Sequence, residues 1–161
     1  MAVDAFLKID GVKGESKVKG MNDWIDILDV NFSIHNRASS HYGGGQGVGR
    51  ADFGDISFVK RYDKASPTLM LFCANGKHID KVEVILRKAG GDNALDFLKI
   101  EMKRCFVTSV VPSGLTSGDG MEQLSLSFEE FDLTYQEQDE KGKKADAAKF
   151  FYDVKAQEKK N

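Results

Sequence analysis

Ala94-Leu95-Asp96-Phe97-Leu98-Lys99-Ile100-Glu101-Met102-Lys103-Arg104-Cys105-Phe106-Val107-Thr108-Ser109-Val110-Val111 is the stretch that decides how this chain folds. Leu98, Ile100 and Met102 alternate with Lys99, Glu101 and Lys103. A period of two residues belongs to a β-strand, whose successive side chains point to opposite faces. Phe106 and Val110 extend the apolar face in this reading, giving one long strand with a wet side and a dry side.

The same period recurs on either side. Val3, Ala5, Leu7 and Ile9 oppose Asp4, Phe6 and Lys8 before the breaker Asp10-Gly11. Between Trp24 and Ile34 the apolar positions change phase, from Ile25 and Ile27 to Leu28, Val30, Phe32 and Ile34. Between Glu122 and Tyr135 they switch at Glu129-Glu130, from Leu124, Leu126 and Phe128 to Phe131, Leu133 and Tyr135. Such a change of phase inside a strand is the mark of a β-bulge, which bends sheets and helps close barrels. Phe53–Tyr62, Ile79–Lys88 and Lys149–Lys155 complete the count.

One helix interrupts them. Ser66 supplies a capping hydroxyl, Pro67 suits the first helical position, Leu69, Phe72 and Cys73 share a face, and Gly76 ends the segment. The expected fold is mainly β: a bent antiparallel β-barrel of about seven strands with one short flanking α-helix, plugging one end. With 161 residues the chain fits a single domain, 1–161. Residues 35–52 hold five glycines in a loop too long for a tight hairpin, and 136–147, QEQDEKGKKADA, read as a solvated or locally disordered connection.

Charge and composition exclude several classes of function. Twenty-three Lys plus Arg against 25 Asp plus Glu leave a net charge of −2, so no basic field exists to hold nucleic acid. No apolar run approaches the ~18 residues of a membrane helix. The N-terminal Met1-Ala2-Val3-Asp4 lacks the basic lead of a secretory signal, so the expected place of synthesis is the cytoplasm. Cys73 and Cys105 form no CxxC pair and read as reduced thiols.

The remaining motifs read as ordinary structure. Gly43-Gly44-Gly45-Gln46-Gly47-Val48-Gly49 lacks the Lys-Ser/Thr of a phosphate loop, because Arg50-Ala51 follow, and it leads into a strand rather than a helix. His35, Ser39, Ser40 and His41 contain the residue types of a hydrolase without a G-x-S-x-G elbow or a rigid element to hold them. His78 reads as a turn or interface residue. Glu129 and Glu130, adjacent on a strand, point to opposite faces and cannot pair as acid and base. No catalytic, metal or cofactor-binding residue is expected. Phe6, Ile85, Phe97 and Phe131 fall on faces where a monomer would carry polar side chains, which suggests an exposed apolar surface for partners.

Taken in order, Ala2-Val3-Asp4-Ala5-Phe6-Leu7-Lys8-Ile9-Asp10-Gly11-Val12-Lys13-Gly14-Glu15-Ser16, then His41 with Gly43 to Gly49, Asp63-Lys64-Ala65-Ser66-Pro67, Cys73-Ala74-Asn75-Gly76-Lys77-His78-Ile79 and Arg87-Lys88-Ala89-Gly90-Gly91 form a set. That set resembles the haemolysin-coregulated protein (Hcp) family, the tube protein of bacterial type VI secretion. The resemblance spans most of the chain and weakens after Gln136.

It implies a β-barrel with a flanking helix and a homohexameric ring closed by head-to-tail contacts. Rings would stack into a tube that carries effectors in its lumen. It further implies a spike protein at the tube tip, a contractile sheath around it, and export without a signal peptide. On this reading the long loop reaches the neighbouring ring through His41, Gly43, Gly44, Gly45, Gly47 and Gly49. The chain ends at 161 with no appended toxin, so no enzymatic activity is expected. Strand periodicity places Val30 and Phe32 toward the core and Asn31 and Ser33 toward the lumen. The competing readings are a monomeric barrel that binds a small ligand and a small hydrolase using the His-bearing loop.

Overall fold

A computed structural model describes residues 2–36 and 49–161. Its strands are β1 (Val3–Ile9), β2 (Ile25–Ile27), β3 (Asp29–Asn31), β4 (Ile34–Asn36), β5 (Ala51–Phe53), β6 (Ile56–Arg61), β7 (Ile79–Lys88), β8 (Leu95–Ser113), β9 (Met121–Ser127), β10 (Glu130–Gln138), β11 (Lys144–Asp153) and β12 (Glu158–Lys159). One α-helix, α1 (Ser66–Asn75), lies between β6 and β7. The fold is mainly β and antiparallel, as the period of two requires. The strands outnumber the expected seven because bends divide the longer segments, β5 begins within the expected loop and β12 lies beyond the last expected strand.

The first sheet runs β12-β11-β10-β8-β7-β1-β2. The second runs β8-β9-β6-β3, so the two share β8. They meet again where β2 passes into β3, and there the Leu28 N–H donates to the Val59 carbonyl at 2.7 Å. The sheets therefore wrap one core without closing into a continuous hydrogen-bonded barrel. That core is filled by side chains, with Leu7, Ile56, Phe58, Val84, Ile100, Met102, Leu124 and Leu126 fully buried. α1 closes over it with Leu69 and Phe72 and ends at Gly76, whose φ of 62° is the left-handed cap conformation. Ser66 is the first helical residue rather than the cap; its hydroxyl instead serves the ion cluster described below.

The long stretch is one strand with two changes of facing. Residues 98–103 pair with β7 and β10, and 106–113 pair with β9. Arg104, at φ 51°, turns the strand at a corner without shifting its register, so Met102 and Cys105 both face inward. Register shifts between Val107 and Ser109, which returns Val110 to the core side. Phe106, placed on the apolar face by simple alternation, is consequently 39% exposed. The chain turns the same corner at Phe128-Glu129, where β9 leaves the second sheet and β10 enters the first. Arg104 pins the two corners together through Glu129 Oε2 at 2.5 Å and Glu130 Oε2 at 3.1 Å.

Two expectations need correction. Phe6, Ile85 and Phe131 are buried, at 2%, 9% and 1% exposure, and Phe97 is half-buried, so they form no open apolar surface. Phe6 and Ile85 pack under the segment between β1 and β2, which brings Met21 and Trp24 over the outer face of the sheet. Phe131 joins the main core. Residues 136–147 form no loose connection: β10 and β11 are a hairpin through them, turned at Asp139–Lys143. β11 accordingly begins at Lys144, where the expected strand begins at Lys149.

Candidate functional site

The second sheet has one greasy face and one face of short polar side chains, and its register aligns them into rows. Val30 pairs with Phe58, Phe58 with Leu124, and Leu124 with Val110, giving an inward row. One step along, Asn31 pairs with Ser57, Ser57 with Ser125, and Ser125 with Ser109. Because side chains alternate, this second row must face away from the core. It crosses four strands without a charge.

The row is tied together locally. Ser57 and Ser125 share a hydroxyl–hydroxyl hydrogen bond of 3.0 Å. The Asn31 Nδ2 donates to Asp29 Oδ2 at 3.2 Å, while Asp29 Oδ1 accepts the Val30 N–H at 2.9 Å, so the Asn31 amide is oriented by its neighbour. The flanking row, Asp29, Val59, Gln123 and Val111, mixes charge, apolar and amide groups. The result is a hydrogen-bonding wall in which, among the described residues, no hydroxyl meets a histidine.

Asn31, expected to face the lumen, lies in this wall and is exposed. Ser33 lies beyond the end of β3, at the base of the β4–β5 hairpin, where a Cβ on Gly54 would overlap its hydroxyl. It is exposed but outside the row. Phe32, expected in the core, is 40% exposed, although its ring lies 5.2 Å from that of Phe131. His41, Gly43, Gly44, Gly45 and Gly47 lie outside the described residues; Gly49 is described and is half-buried just before β5. Ser57, Ser109 and Ser125 were not singled out in the sequence. Each occupies a polar position in an alternating segment, and only the register shows that they meet.

The wall is held from behind by a buried ion cluster. Lys60, fully buried on β6, donates from Nζ to Ser66 Oγ at 3.0 Å and to the Arg61 carbonyl at 3.0 Å. It also contacts Asp63 Oδ1 at 2.9 Å and Glu122 Oε1 at 3.3 Å. The Asp63–Pro67 landmark thus fastens the start of α1 to β6 and β9. Glu129, Glu130 and Arg104 are likewise consumed in ion pairs; Arg104 holds the Glu129 carboxyl below its ordinary value. His78 packs its ring edge-on against Phe106 at 6.1 Å. Among the described residues no three His, Cys, Asp or Glu side chains converge as a metal site, and no helix is long and apolar enough to cross a membrane.

Comparison with known proteins agrees with this architecture. Residues 6–135 match the family model described as type VI secretion system effector, Hcp. The chain is 41% identical over 150 residues to protein Hcp1 of Pseudomonas aeruginosa, covering 92% of this chain and 90% of that protein. Its fold is similar to the crystal structure of Hcp1 from Salmonella typhimurium, with 32% identity, 99% of both chains covered and a TM-score of 0.79. A solved structure described as a type six secretion system protein superposes with a TM-score of 0.91 at 25% identity, covering 99% of this chain and 100% of that one. A sequence match across most of the domain and a fold match along nearly all of it have one reading: the chain belongs to the Hcp family of type VI secretion proteins.

Proposed function

We propose that this protein is a tube subunit, that six copies close into a ring, and that the Asn31–Ser57–Ser125–Ser109 row lines the lumen. The observation that carries this reading is the row itself: four strands of a two-faced sheet present an unbroken line of short, uncharged polar side chains. A wall of that chemistry wets the channel and makes hydrogen bonds to a passing cargo without gripping it by charge. Head-to-tail contacts between different faces of neighbouring subunits close the ring.

Rings stack through the Gly-rich segment after β4, with His41, Gly43, Gly44, Gly45, Gly47 and Gly49 as the contact candidates. The tube meets a spike protein at its tip and a contractile sheath outside, and it carries effectors. The protein is made in the cytoplasm, exported by the type VI machinery without a signal peptide, and acts as a structural carrier rather than an enzyme. The filled core supports this over a ligand-binding barrel, since fully buried Phe58, Ile100 and Met102 occupy the interior.

Substituting Asn31→Glu together with Ser125→Glu tests the lumen assignment. The expected outcome is an intact ring by light scattering with reduced retention of co-purified effectors. Dissolution of the ring by these changes would instead put the row in a subunit interface.

A further inference from the structure

β4 and β5 form a sheet of their own, with three residues on each strand. A two-stranded hairpin of that size is marginal in water and needs something to pack against. The backbone bond nearest the body, from the Gly54 N–H to the Ser33 carbonyl at 3.0 Å, closes the hairpin's own base. Among the described residues, the aromatic contacts between the hairpin and the domain are made by Phe53. Phe53 stacks on Tyr152 at 5.2 Å and on Phe150 at 6.5 Å, and meets the edge of Phe128 at 6.2 Å. Phe150 and Tyr152 themselves stack in parallel at 6.0 Å on β11, and Phe150 and Phe128 both lean on buried Phe131. The three-sided aromatic seat for Phe53 is therefore continuous with the core.

We infer that Phe53 is the positioning residue of this hairpin: seated on Phe128, Phe150 and Tyr152, it sets the direction of β4 and β5. The inference about ring stacking rests on the tube reading above; the seat itself does not. It also assigns a task to β11, whose Phe150 and Tyr152 hold a hairpin remote from them in sequence. Offset-stacked and edge-on pairs each add to stability beyond simple burial, so three pairs lost at once should release the hairpin while β8 stays closed.

Hydrogen–deuterium exchange on the purified full chain tests this with Phe53→Ala and Phe53→Tyr, using amides of β8 as the internal reference. Phe53→Ala should speed exchange at 33–36 and 51–54 by roughly ten- to a hundredfold with β8 unchanged, and Phe53→Tyr should keep wild-type protection. Phe53→Ala should also abolish tube growth at unchanged ring mass, and Phe53→Tyr should restore it. Unchanged hairpin protection in Phe53→Ala overturns the inference, as does faster exchange that spreads equally to β8. Faster exchange confined to the hairpin with normal tube growth upholds the seat and overturns the stacking role given to the hairpin.

Discussion

At the scale of single residues, two buried groups make opposite demands on their surroundings. Lys60 is charged and enclosed, and it is tolerable only because Asp63, Glu122, Ser66 and a backbone carbonyl surround its ammonium. Removing one member of such a set leaves the others buried without compensation. Lys60→Ala should therefore lower stability by roughly 3 to 5 kcal/mol in urea denaturation, far more than loss of an exposed pair such as Lys155 with Glu129. Cys105 is the reverse case, a neutral thiol that burial and then the nearby Glu129 charge push from 9.0 up to about 12. The unfolded thiol ionises first, so its contribution to stability is intact below pH 9.0 and is lost between there and about 12. Maleimide at neutral pH should leave Cys105 unlabelled until denaturant is added; labelling of the native protein at this position would show the β8 corner open.

Elements show how far alternation alone can be read. The period of two marks the strands in Val3–Ile9, in the middle of β7 and in the first half of β8, where each face keeps its parity; at the start of β7, Ile79 and Val82 both face the core. It fails at Arg104, where a left-handed backbone corner reverses the facing, and at Thr108, where an extra residue does, and so misplaces Phe106. It also put Phe6 and Ile85 at the surface, because their cover comes from a segment with no strand period at all. That segment is held by close backbone approach: Gly14 donates to the Asp23 carbonyl at 2.7 Å, and Ser16 to the Trp24 carbonyl at 2.9 Å. A Cβ on Gly14 would overlap the Trp24 carbonyl. Gly14→Ala should thus cost about 1 to 3 kcal/mol or more and uncover Trp24, seen as a red shift of its fluorescence at unchanged far-ultraviolet dichroism. The hairpin through 136–147 was hidden for another reason, since both of its faces are polar and solvent-exposed strands leave no apolar stripe to read.

For the whole molecule, the landmark residues in order identified the family, while the wall could be found only in part. Asn31 stood out by parity, but Ser57, Ser109 and Ser125 are separated by tens of positions, and their meeting is a matter of register between strands. Two sheets sharing β8 carry that wall on one and β11 with its aromatic seat on the other, the separation that the proposed channel and neighbour contacts require. The central claim is that these surfaces close a ring. Native mass spectrometry of the purified chain at micromolar concentration tests it most directly: the account expects a dominant species of six times 17.8 kDa, and a monomer persisting at every concentration would contradict it.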